Sequence, residues 1–209
     1  MKYTTVIWDF NGTIMDDVAL CMDSLNTMLK ARGIRTIDTV EDYRRIFRFP
    51  IKDYYRLAGF DFAKEPFEDL AVEWVNLYTA GENTLTLSDG FIDAWRFIRS
   101  SGAKQIILSA SETAMLHRHL GILGIQDGFD AVLGTGDIYA EGKVEMARRC
   151  LGTSLCNAVL IGDTPHDAET ARAIGVDCIL YAGGHASEGA LAAIGVPVIR
   201  HLSTLADYL

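Results

Sequence analysis

Short apolar runs rich in β-branched residues recur along this chain, with apolar residues at helical spacing between them. That alternation restricts the fold more than any other feature. The strand candidates are Thr5–Trp8, Gln105–Ser109, Ala131–Leu133, Ala158–Ile161 and Cys178–Tyr181, with a weaker one at Val198–Ile199. Helical stripes separate them. Phe91, Ile92, Trp95 and Ile98 precede Gly102, and Met115, Leu116 and Leu120 precede Gly121. Val144, Ala147, Cys150 and Leu151 precede Gly152, and Ala168, Ala171 and Ile174 precede Gly175. Glycine adopts the left-handed conformation without a Cβ penalty, so a glycine just past a stripe is a helix stop. Strands that are apolar throughout must be covered on both faces, as in parallel sheets built with crossover helices. The expected fold class is α/β, with a doubly wound, Rossmann-like parallel sheet.

One stretch breaks the alternation. From Asp16 to Asn83 no strand pattern is convincing, and four helical stripes follow one another. Val18, Met22, Leu25 and Leu29 end at Gly33; Val40, Tyr43 and Phe47 end at Pro50; Ile51, Tyr54, Tyr55 and Ala58 end at Gly59. Phe67, Leu70, Trp74, Leu77 and Tyr78 follow Pro66, which suits a first helical turn. The chain should therefore divide into a core, 1–15 and 84–209, and an all-helical inserted domain, 16–83. The aromatic side chains of the insert (Tyr43, Tyr54, Tyr55, Trp74, Tyr78) are expected to be helix packing.

Composition narrows the function. Of 209 residues, 49% are apolar and 22% charged, the balance of a soluble globular protein. With a net charge of −9, nothing in the composition suggests a protein that grips the nucleic-acid backbone, whose basic footprint would be visible. An anionic substrate then requires local cations, from a metal or a few Lys and Arg. The four cysteines, Cys21, Cys150, Cys156 and Cys178, contain no C-x-x-C pair and are expected to be small core residues of a reducing compartment. No signal-peptide pattern opens the chain, and no run approaches the roughly 18 apolar residues of a membrane span. The expectation is a cytoplasmic monomer or small homo-oligomer with no membrane or nucleic-acid partner.

Four elements that carry chemistry fall at or near strand ends, where ligands bind in open α/β sheets. Asp9-Phe10-Asn11-Gly12-Thr13 follows the first strand and sets a carboxylate beside a glycine turn whose amides can face an oxyanion. Ser109 ends the second strand candidate, and its hydroxyl with the following amide, that of Ala110, can hold phosphate oxygens. Lys143 opens a helix. Gly162-Asp163-Thr164-Pro165-His166-Asp167 places two carboxylates four residues apart after a strand, which suits a hard cation. Singly, each has an ordinary structural reading as turn, cap or surface residue.

In this order, the four resemble the motif set of the haloacid dehalogenase superfamily: D-x-D-G-T, a strand-ending Ser or Thr, a Lys, and G-D-x-x-x-D. The resemblance spans nearly the whole chain, since the helical insert sits where that family carries its cap domain. Leu85 to Ser109 is closest in style to the phosphoglycolate-phosphatase-like members. The resemblance implies that Asp9 attacks phosphorus and becomes an aspartyl phosphate. It implies magnesium held by Asp9, the main-chain carbonyl of Asn11 and Asp163, with Asp167 ligating through water or orienting. Ser109 and Lys143 would bind the phosphoryl oxygens of a small phosphorylated metabolite.

The departure is Asn11. Phosphatases of the family have a second Asp there, which protonates the leaving oxygen and then assists water. An amide cannot exchange a proton in this way. Losing general acid–base help costs typically 10²- to 10⁴-fold in rate, or roughly 3–5 kcal/mol. Three readings follow: a phosphatase whose leaving group needs little protonation or finds its proton elsewhere; a phosphonoacetaldehyde-hydrolase-like enzyme cleaving a C–P bond with a cap lysine, for which Lys52 is the candidate; or an impaired protein that binds a phosphate ligand. A phosphomutase would also want an acid–base residue at position 11. In the insert's basic group, Arg44, Arg45, Arg48 and Lys52, only Arg48 beside Phe49-Pro50 is expected to point inward. His166 is expected at the surface, His117 and His119 form no metal pair, and His185 lies at the right edge of the sheet with no role assigned.

Overall fold

Neighbouring residues on a strand point to opposite faces of the sheet, yet Val6, Ile7 and Trp8 are all completely buried. The sheet that contains them is therefore covered twice. The computed structural model, which describes residues 1–135, 143–151 and 155–209, shows how. In chain order its elements begin with β1 (Thr5–Trp8), β2 (Met15–Asp16), α1 (Val18–Ala31), α2 (Val40–Ile46), α3 (Ile51–Ala58) and α4 (Phe67–Gly81). Next come β3 (Thr86–Leu87), α5 (Phe91–Ser100), β4 (Lys104–Glu112), α6 (Thr113–Ile122), β5 (Ala131–Thr135) and α7 (Lys143–Leu151). The chain ends with β6 (Ala158–Gly162), α8 (Pro165–Ile174), β7 (Asp177–Tyr181), α9 (Glu188–Ala192), β8 (Val198–Ile199) and a 3-10 turn over Leu202–Asp207.

Six strands form one parallel sheet in the order β5-β4-β1-β6-β7-β8. Val6 and Trp8 share an apolar cluster with Phe91, Ala94 and Ile98 of α5 and Leu116 and Leu120 of α6. Ile7 faces the other way, with Met146 and Ala147 of α7, Ala168 and Ala171 of α8 and Leu191 of α9. Strand order reverses at β1: the chain runs outward to β4 and β5 on one side, then to β6, β7 and β8 on the other. The crevice beyond the ends of β1, β4 and β6 is thus a topological switch point, where such sheets bind ligands.

The four helices of the insert lie between β2 and β3, a two-stranded antiparallel pair that joins the outgoing and returning chain through Met15–Leu87 and Asp16–Thr86. Two-residue strands are too short for a periodic pattern, and neither was expected. Nor were α9 and the terminal 3-10 turn. Gly121 does not stop α6 but lies inside it, and the left-handed residue is Gly124. Gly152, the expected stop of α7, lies outside the described residues. Cys21 and Cys178 are buried as expected, whereas Cys150 and Cys156 are exposed. Among the described residues no helix is long and apolar enough to cross a membrane.

One buried polar group ties the layers together. The Trp8 indole Nε1 donates to Gln105 Oε1 at 3.1 Å, and Gln105 Nε2 donates to the Trp95 carbonyl at 3.1 Å. Gln105→Leu would strand the indole N–H with no partner inside the core. The expected cost is about 1–3 kcal/mol, measured as a lower urea midpoint, and an unchanged midpoint would refute it.

Candidate active site

The end of β1 sets the position of Asp9, whose amide donates to the Ile161 carbonyl of β6 at 2.8 Å. The chain then folds back on itself, with the Phe10 carbonyl accepting from the amides of Thr13, Ile14 and Met15. Gly12 has φ +72°, and a Cβ there would lie 2.4 Å from Asp163 Oδ2 and 2.6 Å from the His185 ring. Gly184 is equally constrained, its notional Cβ meeting Asp163 Oδ2 at 2.2 Å. Both glycines let the loops after β1 and β7 close onto the end of β6. The Gly12 amide does not face an oxyanion as expected, because it donates to the Met15 carbonyl at 2.8 Å and to Asp17 Oδ1 at 2.9 Å.

Lys143, at the start of α7, is buried with its Nζ 2.6 Å from Asp9 Oδ1 and 2.5 Å from Asp167 Oδ1. Asp167 Oδ2 accepts from the Thr164 amide at 3.0 Å and its hydroxyl at 2.7 Å. Asp163 accepts from the Thr13 hydroxyl at 3.0 Å and the His185 amide at 2.6 Å. The carboxylates of Asp9, Asp163 and Asp167 all have an oxygen within 4.8 Å of one another. Burial pushes Asp9 well above the carboxylate range despite Lys143, and pushes Asp163 up to about 6. For Asp167, burial is outweighed by Lys143 and Thr164, which hold its carboxyl low. Three buried carboxylates against one ammonium form an all-oxygen donor set lacking positive charge, the chemistry a hard divalent cation satisfies. Ser109 is buried on β4, the strand next to β1; β4 continues past it to Glu112, with the pairing register shifting between Leu108 and Glu112. Its Oγ accepts from the Ser111 amide at 3.1 Å, and Ala110 next to it is exposed.

Asn11 belongs to a second group. Its Nδ2 lies 2.8 Å from Asp17 Oδ2 and 3.4 Å from the Tyr78 hydroxyl, and its Oδ1 accepts from the Ser111 hydroxyl at 2.8 Å. Asp17 also accepts from the Tyr78 hydroxyl at 3.0 Å and faces His185 Nε2 at 3.1 Å. The other ring nitrogen of His185 is 2.9 Å from the Tyr43 hydroxyl. Burial raises the Asp17 carboxyl, but His185, Asn11 and Tyr78 outweigh it and hold it down to about 2. Burial likewise disfavours the charged His185, but Asp17 and Asp163 outweigh it and raise the ring to about 9. Asp17, Cys21 and His185 also bring ligand atoms within 4.8 Å, but the oxygens of Asp17 are already occupied by these donors.

Sequence reasoning left His185 without a role and missed Asp17, Ser111 and the tyrosine hydroxyls. Tyr43 and Tyr78 pack as expected, but the Tyr43 hydroxyl reaches out of the insert to His185 and the Tyr78 hydroxyl reaches Asp17 at its start. Arg48, expected to aim inward, is exposed and donates to the Ile46 and Arg45 carbonyls. It lies beyond the last residue of α2, so helical phase does not direct it. Arg44 turns in instead, bonding the carbonyls of Gly184 at 2.7 Å and Gly183 at 2.5 Å. Lys52 is exposed, paired with Glu68 at 3.2 Å and stacked over Phe67. That placement removes the support for a lysine-based C–P cleavage. His166 sits at the surface near Glu169, and His119 is buried against Glu82 while His117 is exposed.

Residues 6–181 match the model of the haloacid dehalogenase-like hydrolase family. A phosphoglycolate phosphatase of Rhodobacter capsulatus is 27% identical, covering 86% of this chain and 84% of that protein. Another, from Caulobacter vibrioides, is 24% identical over 94% of this chain and 86% of its own. A haloacid dehalogenase-like family hydrolase of Streptococcus pneumoniae has the same fold, with a TM-score of 0.84 at 20% identity over 99% of this chain and 98% of that one.

The Asp17–His185 pair makes stability depend on pH in a defined direction. The ring is raised from its usual 6.5 to about 9, so its contribution is complete below 6.5 and is lost as pH rises through 9. Such a shift corresponds to at most about 3 kcal/mol. The thermal midpoint should therefore fall between those pH values, and His185→Gln should flatten the fall; parallel curves for the two proteins would count against the pair.

Proposed function

Because the chain belongs to the haloacid dehalogenase-like hydrolase family, we propose that it is a magnesium-dependent phosphatase of a small phosphorylated metabolite, working through an aspartyl phosphate on Asp9. The observation that carries this reading is Lys143 joining Asp9 to Asp167, with Asp163 beside them, at the switch point of the sheet. Its phosphoglycolate phosphatase relatives support the substrate class, with turnover slowed by Asn11 wherever the leaving oxygen needs a proton. Residues 1–15 and 84–209 serve as the catalytic core and 16–83 as its cap.

Asp9 attacks phosphorus; the bond to the leaving oxygen breaks and the phosphoryl group passes to the carboxylate. Water then attacks phosphorus and frees Asp9. Lys143 balances charge on Asp9 and on the phosphoryl oxygens, and Ser109 with the Ala110 amide holds those oxygens. Magnesium, held by Asp9, Asp163 and the Asn11 main-chain carbonyl with Asp167 ligating through water or orienting, would withdraw charge from the phosphoryl group. Little bond-making falls to the protein beyond this, so position and charge account for most of the effect. Arg44 and Tyr43 keep α2 against the loop after β7, where the cap would exclude water.

Phosphate release from a panel of small phosphate esters, with magnesium and with chelator, tests the reading. Turnover should require the metal, mass spectrometry should find a phosphoryl adduct on Asp9, and Asp9→Asn should lose at least about 10³-fold in rate. Release by Asp9→Asn at the native rate would refute it.

A further inference from the structure

The amide of Asn11 has two chemically different ends, and the structure determines which faces where. Both oxygens of Asp17 already act as acceptors, Oδ1 from the Gly12 amide and Oδ2 from the Tyr78 hydroxyl. Whatever stands 2.8 Å from Asp17 Oδ2 must therefore donate, which makes it the NH2 of Asn11. The carbonyl end then faces Ser111, whose amide is bonded to Ser109, on the side where phosphoryl oxygens are to be held. Asp17 cannot rotate to release the amide. Its Oδ1 receives the Gly12 amide and His185 Nε2, and its Oδ2 receives Asn11 and Tyr78.

The protons around Asn11 are committed as well. Ser111 gives its hydroxyl proton to Asn11, Tyr78 gives its own to Asp17, and both ring nitrogens of His185 are engaged by Asp17 and Tyr43. Lys143 is shared by Asp9 and Asp167. Among the described residues, no side-chain acid beside Asn11 is left to protonate a departing oxygen. The Asn11 carbonyl can accept a hydrogen bond from an incoming water but cannot take its proton.

We infer that Asp17 is a positioning residue that locks Asn11 with its carbonyl toward the phosphoryl site, and that this lock confines the enzyme to phosphates whose leaving oxygen departs as a stable anion: acyl, enol and aryl phosphates rather than alkyl monoesters. The inference rests on the phosphatase reading above. The Asp9 oxygen forms a bond to phosphorus, and the old P–O bond breaks with its electron pair on the leaving oxygen, which departs as carboxylate, enolate or phenolate. Hydrolysis of the aspartyl phosphate follows, and the protons of the attacking water leave with inorganic phosphate or to solvent.

The test is kcat/KM for a series from acetyl phosphate through aryl phosphates to an alkyl phosphate such as phosphoglycolate, on the full chain with magnesium. The native protein should fall steeply along the series, by at least about 10²-fold from acyl to alkyl. Asn11→Asp alone sets two carboxylates at hydrogen-bond distance and should gain little. Asn11→Asp combined with Asp17→Asn reverses donor and acceptor in the same bond, and should raise the ratio of alkyl to acyl kcat/KM by about 10- to 100-fold. A purely structural role for Asp17 would move all substrates alike, and that result overturns the inference. A flat native series also overturns it, and decides the matter alone if the double variant does not fold. Absence of any turnover, with no adduct on Asp9, overturns the phosphatase reading and this inference together.

Discussion

Asp9, Asp17, Asp163 and Asp167 are buried at one edge of the sheet with Lys143 and His185, and each is less than a tenth exposed. Taking an ion out of water costs several kcal/mol unless partners replace the lost hydration. The loops around this edge are arranged to supply those partners. Asp17 receives donors from the turn after β1, from the loop after β7 and from α4; Asp163 receives Thr13 and a main-chain amide; Asp167 receives Thr164 and Lys143. Among the described residues Asp9 has one side-chain donor, Lys143. The least satisfied carboxylate is the one proposed above as nucleophile, while its neighbours are held in place.

The same charges explain how the helical insert meets the sheet. Tyr43 of α2 and Tyr78 of α4 belong to different helices, and both put a hydroxyl on the Asp17–His185 pair. Phe47 stacks on the His185 ring at 4.6 Å, and Arg44 takes up two carbonyls of the loop that carries His185. The β2–β3 pair fixes where the chain crosses from one part to the other. Asp17 follows at once and anchors that crossing to the insert's far helices.

The strands were legible because their apolar runs are doubly buried, and runs such as Val6-Ile7-Trp8 have no other stable environment. Asp9, Lys143, Asp163 and Asp167 were legible together, through their order along the chain. Asp17 was not. It stands next to Asp16 with the same side chain, and the pairing of Met15–Asp16 with Thr86–Leu87, distant in sequence, leaves Asp16 exposed and Asp17 buried. Arg44 and Arg48 were separable only by the point at which α2 ends, and helix ends are where periodicity carries least information. His185 depended on a loop whose path is set by close approach of Gly184 to Asp163, a contact between segments that no local pattern encodes.

Seen alone in the sequence, Asn11 is a missing acid. In the structure it is one member of a charge balance. A carboxyl group at position 11 would be a fifth beside four that share Lys143 and His185, and it would stand 2.8 Å from the best-satisfied of them. An amide is nearly the same shape, carries no charge, and offers the N–H that Asp17 accepts. The neutral residue at 11 and the carboxylate at 17 are therefore matched to each other, the amide supplying the donor that the carboxylate accepts.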